Sequence, residues 1–168
     1  QDFKIIRCLT QQNKKCLVLD CDNVLWGGIV GEDGVNGIKL AKTYPGAPYH
    51  DFQQEIVNLN ARGILIALCS KNNPEDVWQV FQKHPDMALK KHHIACAQIN
   101  WQDKATNLKQ ISIDLNIGMD SIVFMDDSEF EINLIRQKLP EIEAIHLDKE
   151  KSIKFRQILT ECGLFESL

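Results

Sequence analysis

Short apolar runs bounded by turn-forming residues occur at 16–19, 64–68, 93–97, 122–125 and 144–147. Each is too short for a helix, and each is predicted to be a strand. Longer stretches at 49–61, 74–83, 104–115, 129–139 and 152–162 carry helical spacing of their apolar positions. Strand and helix therefore alternate. Strands separated by helices of this length cannot pair as hairpins, so the sheet is expected to be mainly parallel, with helices on both faces and right-handed crossovers. The fold class is α/β, a three-layer α/β/α Rossmann-like arrangement around five strands. Asn73-Pro74 and Ser128 suit helix starts; Gly63, Gly118 and Pro140 suit helix ends. Residues 26–48 break the alternation. They include Gly27, Gly28, Gly31, Gly34, Gly37 and Gly46, and are expected to form a small β-flap and loop after the first strand, too short for a cap domain.

The 168 residues, 44% apolar and 25% charged, have the composition of an ordinary globular domain, and 1–168 is read as one such unit. A chain this long buries roughly 70% of its unfolded surface. No metal or disulfide is needed for a core, so any metal is there for chemistry. The net charge is -4 and the basic residues are scattered, which argues against nucleic acid as a partner. Cys8, Cys16, Cys21, Cys69, Cys96 and Cys162 show neither CxxC pairing nor zinc-like spacing, so they are expected to be free thiols in a reducing cytoplasm. Residues 1–9 lack the features of a signal or transit peptide, and no later run suits a bilayer span. A start at Gln1 without an initiator Met, and a stop soon after a helical pattern, suggest a domain excised from a larger multidomain protein.

Ligands of parallel α/β sheets bind beyond the carboxyl ends of the strands, and acidic pairs cluster there. The first strand runs into Asp20-Cys21-Asp22 and the fourth into Asp126-Asp127-Ser128, with Glu131 one turn further on. In an extended segment Asp20 and Asp22 would face the same side. Carboxylates converging on one site repel unless a cation shares them, and hard oxygen donors suit Mg2+. One carboxylate could then attack phosphorus while another handles protons. The second strand ends in Cys69-Ser70-Lys71-Asn72-Asn73, a hydroxyl and amides at a helix start that could cradle phosphate. Lys104, opening the next helix, could balance the negative charge. Taken singly, each of these features also suits a solvated turn or a helix cap.

The order Asp-x-Asp, Ser, Lys, Asp-Asp, each after its own strand, resembles the four motifs of the haloacid dehalogenase (HAD) superfamily over nearly the whole chain. The resemblance implies that Asp20 is a nucleophile forming an aspartyl-phosphate and Asp22 the general acid/base. Ser70 and Lys104 would bind phosphate, with Lys71 and Asn72 beside them. Mg2+ would be held by Asp20, Asp126, Asp127 and the backbone carbonyl of Asp22. The first motif normally continues to Thr; Val24 stands there instead and removes a hydroxyl.

Longer strings, Asp20-Cys21-Asp22-Asn23-Val24-Leu25-Trp26-Gly27-Gly28, Gly31-Glu32-Asp33-Gly34, Cys69-Ser70-Lys71-Asn72, Asn100-Trp101 and Phe124-Met125-Asp126-Asp127, resemble the FkbH-like domains of polyketide assembly lines. That resemblance implies a glyceryltransferase/phosphatase: it would bind 1,3-bisphosphoglycerate, remove phosphate and load a glyceryl group onto the phosphopantetheine thiol of an acyl carrier protein. Such chemistry needs a thiol as well as an aspartate, and Cys21 is the first candidate, with Cys69 in reserve. Against this, strand alternation would point Cys21 away from Asp20, and nearby carboxylates raise a thiol's pKa. Trp26 and Gly27 would begin the flap over the substrate, and Tyr49, His50 and Asn73 would stand at its rim. His84, His92, His93 and His146 form no ligand constellation. A plain Mg2+-dependent phosphatase and an inactive carrier-docking domain are the competing readings.

Overall fold

The computed structural model describes residues 13–165; Cys8 and the leader reading of residues 1–9 lie outside them. Five strands, β1 (Cys16–Leu19), β2 (Leu65–Ser70), β3 (Ile94–Ile99), β4 (Ile122–Asp126) and β5 (Glu143–His146), form one sheet in the order β3-β2-β1-β4-β5. Every pairing is parallel. The six α-helices among the described residues are α1 (Val30–Gly37), α2 (Ala47–Ala61), α3 (Pro74–Lys83), α4 (Lys104–Leu115), α5 (Glu129–Lys138) and α6 (Phe155–Glu161).

β1 is apolar at every position because it is covered on both faces. Leu17 and Leu19 join a core with Phe52 and Ile56 of α2, Val77 and Val80 of α3 and Phe155 of α6. Cys16 and Val18 point to the opposite core, built with Leu108 and Ile111 of α4 and Ile132 and Ile135 of α5. The period of two thus divides one strand between two layers.

Helix starts follow the local signals. The Asp103 carboxylate accepts from the Thr106 amide at 2.9 Å, and the Ser128 hydroxyl accepts from the Glu131 amide at 3.2 Å. α4 ends on Asn116 in left-handed conformation, ahead of the expected Gly118. The expected helix over 152–162 is instead a 3-10 segment, Lys149–Lys154, running into α6. The last two residues of β2 and β3 extend past the expected ends, and this carries Ser70 to the sheet's edge.

Residues 26–48 hold less strand and more helix than their glycine content suggests. One antiparallel bridge closes the segment: Gly27 and Lys39 exchange both backbone hydrogen bonds, at 2.9 and 2.7 Å. A Cβ at Gly27 would lie 2.9 Å from the Lys39 Cβ and 3.0 Å from the Tyr49 ring, so this crossing needs glycine. Inside the loop lies α1, interrupted at Gly34, where φ is 75°.

The loop after β1 is anchored from below by Gln53 of α2, which is fully buried. Its amide nitrogen donates to the Leu25 carbonyl at 2.7 Å, and its oxygen accepts from the Ala88 and Leu89 amides at 2.9 and 3.1 Å. Gln53→Leu keeps the volume and strands two buried backbone groups, the Leu25 carbonyl and the Leu89 amide, and the half-buried Ala88 amide, so we expect urea unfolding to show a loss of about 3 kcal/mol. Unchanged stability would show that those groups find other partners.

Candidate active site

The strand register brings the two acidic motifs together. Leu19 of β1 pairs with Met125 of β4, and the Asp20 amide continues the ladder by donating to the Met125 carbonyl at 3.1 Å. Asp20 therefore stands beside Asp126. One carboxylate oxygen from each of Asp20, Asp126 and Asp127 lies within 4.8 Å of the other two. Lys104, the first residue of α4 and itself buried, places Nζ 2.5 Å from Asp126 Oδ2 and 3.3 Å from Asp20 Oδ2.

Burial pushes the Asp20 carboxyl up to about 7; Asp126 adds to the rise, while Lys104 and the Cys21 amide oppose it. Asp126 and Asp127 are raised too, chiefly by burial. Burial alone would lower Lys104, but the Asp20 and Asp126 charges raise it above the usual lysine value. Three carboxylates around one ammonium leave an excess of negative charge. The hard oxygen donors, their spacing and that uncompensated charge fit a divalent cation such as Mg2+.

Asp20 and Asp22 do not share an extended segment. β1 stops at Leu19 and the chain turns at once: the Leu25 amide donates to the Cys21 carbonyl at 2.9 Å, and Asn23 takes a φ of 60°. Asp22 consequently faces a different set of partners. Its Oδ1 accepts from the Trp26 indole and the Val30 amide, both at 2.9 Å, and its Oδ2 accepts from Asn72 Nδ2 at 2.8 Å. The Asp22 side chain is thus outside the three-carboxylate cluster, contrary to the expectation of two carboxylates converging on one point.

An open depression of about 310 Å³ lies over the cluster, lined by Asp20, Asp22, Asn23, Ile29, Lys71, Trp101, Lys104 and Asp127. Ser70 and Asn72 are buried beside it, 3.5 Å apart at Oγ and Nδ2. Lys71 reaches Glu131 at 3.6 Å. Val24 is fully buried, so the position where a hydroxyl was expected is part of the core.

Trp26, expected at the substrate, is instead fully buried, with its ring edge-on to Phe81. Gly27 and Tyr49 line an adjacent cavity of about 420 Å³ together with Lys39, Lys149 and Asn23. Cys21 and Cys69 are fully buried in opposite cores and line neither opening. Burial, then the charges of Asp20 and Asp22, raise the Cys21 thiol well above its ordinary value; burial raises Cys69 as well. Neither is presented as a nucleophile.

Sequence reading gave no role in the site to three contributors. Trp101, an exposed wall of the depression, is pinned by its indole donating to Asn73 at 3.0 Å. Ile29 forms another apolar wall. The His146 ring stands 2.9 Å from the Asp127 carbonyl. A large aromatic just before a helix start was the available signal for Trp101; a pairing across β4 and β5 left none for His146.

No family model and no curated protein matches the sequence. Among solved structures, the N-terminal part of a Bacteroides fragilis protein, containing a phosphatase domain and complexed with Mg, is 39% identical with a TM-score of 0.91; the match covers 98% of this chain and 44% of that one. The HAD domain of the Legionella pneumophila effector protein Lem4 superposes with a TM-score of 0.61 at 15% identity, covering 89% of this chain and 95% of that domain. The chain has the HAD fold. A Bacteroides thetaiotaomicron HAD family enzyme, in complex with magnesium and inorganic phosphate, shares that fold with a TM-score of 0.53 at 14% identity, over 79% and 93% of the two chains. The chain spans less than half of the Bacteroides fragilis protein it matches. Among the described residues no helix of this HAD fold is long and apolar enough to cross a membrane.

The charge excess has a pH signature in metal-free protein. Between pH 4 and 7 unfolded Asp20 is ionised while folded Asp20 keeps its proton, so its contribution to stability is present below the unfolded value and lost as pH rises through about 7. Asp20→Asn removes that loss. In a chelating buffer the melting temperature of Asp20→Asn relative to wild type should climb from pH 5 to pH 8; a pH-independent difference would show that Asp20 ionises freely.

Proposed function

We propose that the domain is a Mg2+-dependent phosphohydrolase that works through an aspartyl-phosphate on Asp20. The observation that carries this reading is the convergence of Asp20, Asp126, Asp127 and Lys104 at one open strand edge. A bound Mg2+, held by Asp20, Asp126 and Asp127 with the Asp22 carbonyl, would neutralise the carboxylates and the phosphoryl oxygens. The residues supply the rest. An Asp20 oxygen bonds to phosphorus as the ester P–O bond breaks, and Asp22 passes a proton to the departing oxygen. Lys104 and Ser70 hold the phosphoryl oxygens, with Lys71 at the mouth. Water then attacks phosphorus, gives its proton to Asp22, and releases Asp20 and inorganic phosphate. The relative complexed with Mg, at 39% identity, supports the metal and the reaction class.

The finer reading, glyceryl loading from 1,3-bisphosphoglycerate onto an acyl carrier protein, rests on the motif strings. The burial of Cys21 and Cys69 weighs against a thioester on this chain, so hydrolysis of a phosphomonoester is the first expectation.

Incubation with Mg2+ and a panel of phosphomonoesters should release phosphate. Activity should fall by about a thousandfold or more in Asp20→Asn and vanish with chelator. Retained activity in Asp20→Asn would refute the nucleophile. In parallel, intact-mass measurement with enzymatically generated 1,3-bisphosphoglycerate and a carrier protein should show phosphate release without a glyceryl adduct. An adduct on the carrier would favour the transferase, and one on this chain lost in Cys21→Ser would restore the thiol.

A further inference from the structure

Asp22 sits on a turn rather than on a strand, so nothing in the sheet fixes its side chain. Three donors from three separate segments do so instead. The Trp26 indole approaches from four residues along the same turn, the Val30 amide from the first turn of α1 within the 26–48 segment, and the Asn72 amide from the loop between β2 and α3. The turn that closes between Cys21 and Leu25 is what brings the indole back over Asp22.

Two of these donors have little freedom to do anything else. Trp26 is fully buried with its ring edge-on to Phe81, so its N–H would go unsatisfied without the carboxylate. Asn72 is 4% exposed and touches only Ser70 Oγ and Asp22 with its amide nitrogen among the described contacts. Oδ1 accepts two hydrogen bonds and Oδ2 one. That leaves Oδ2 the less saturated oxygen.

We propose that Trp26 and Asn72 are positioning residues that lock the Asp22 carboxylate for proton transfer, so that the acid/base is set statically from the 26–48 segment and the loop between β2 and α3. The proposal rests on the reading of Asp22 as proton donor and acceptor. It replaces a substrate-contacting role for Trp26 and Asn72 with one exerted through Asp22. Neither side chain lines the depression, whereas Asp22 does.

The consequence is selective. Departure of an alkoxide needs a proton from Asp22 as the P–O bond breaks, whereas p-nitrophenolate leaves without one. Because kcat/KM reports only steps through the first phosphoryl transfer, the ratio of kcat/KM for an alkyl phosphate to that for p-nitrophenyl phosphate isolates proton donation. Trp26→Phe keeps the buried ring and removes the N–H; Asn72→Ala removes the other donor. Each should lower the alkyl-to-aryl ratio by roughly tenfold to a hundredfold. Neither should lower it further in an Asp22→Asn background. An equal fall for both substrates, or no change, would overturn the proposal. In nitrogen-edited NMR the Trp26 indole proton should be protected from exchange in wild type and lose protection in Asp22→Ala, a readout independent of activity. An indole equally protected in both would also overturn it. If wild type releases phosphate and Asp20→Asn does not, yet the ratio is unmoved by Trp26→Phe and Asn72→Ala, only the positioning role fails. A wild type that releases no phosphate would overturn both readings.

Discussion

Two parallel strands that end side by side in carboxylates create a repulsion that the surrounding structure must offset. Asp20 and Asp126 are brought together by a ladder that neither can leave, since the Asp20 amide is its last rung and Asp126 the last residue of its strand. Lys104 is driven between them from the start of α4, a helix end where a cation is electrostatically unwelcome. The carboxylates outweigh both that effect and the cost of burying the ammonium. One lysine still does not neutralise three carboxylates. The site is thus assembled by the fold at a local cost in stability, a cost that a bound divalent cation would offset.

The apolar rhythm made the sheet, its parallel sense and its flanking helices legible, because central strands covered on both faces must be apolar throughout, as β1 is. The placement of Asp20, Asp126 and Lys104 at one edge was legible for the same reason: each follows a strand or opens a helix at that edge. What periodicity could not foresee was the turn at Cys21, since the sequence there reads equally well as extended chain. That turn decides the fate of two predicted residues. It swings Asp22 out of the carboxylate cluster toward Trp26, and it leaves Cys21 in the core.

The 26–48 segment shows a related limit. Its glycines mark a close backbone crossing at Gly27 and a broken helix at Gly34, both consequences of steric freedom that composition reports without saying which. Long-range contacts such as His146 with the Asp127 carbonyl, or Gln53 beneath Leu25, depend on register between distant elements and leave no local trace. Of the two apolar walls of the depression, Ile29 falls in the same class, whereas Trp101 is marked by its place just before a helix start.

Beryllofluoride, a mimic of a phosphoryl group on a carboxylate, tests the nucleophile directly. In a crystal structure of the domain grown with Mg2+ and beryllofluoride, beryllium should be bonded to a carboxylate oxygen of Asp20, with Lys104 at its fluorines and Mg2+ among Asp20, Asp126 and Asp127. Beryllofluoride on another side chain, or an unmodified Asp20 with the metal bound elsewhere, would contradict the assignment of Asp20 as the residue that takes the phosphoryl group.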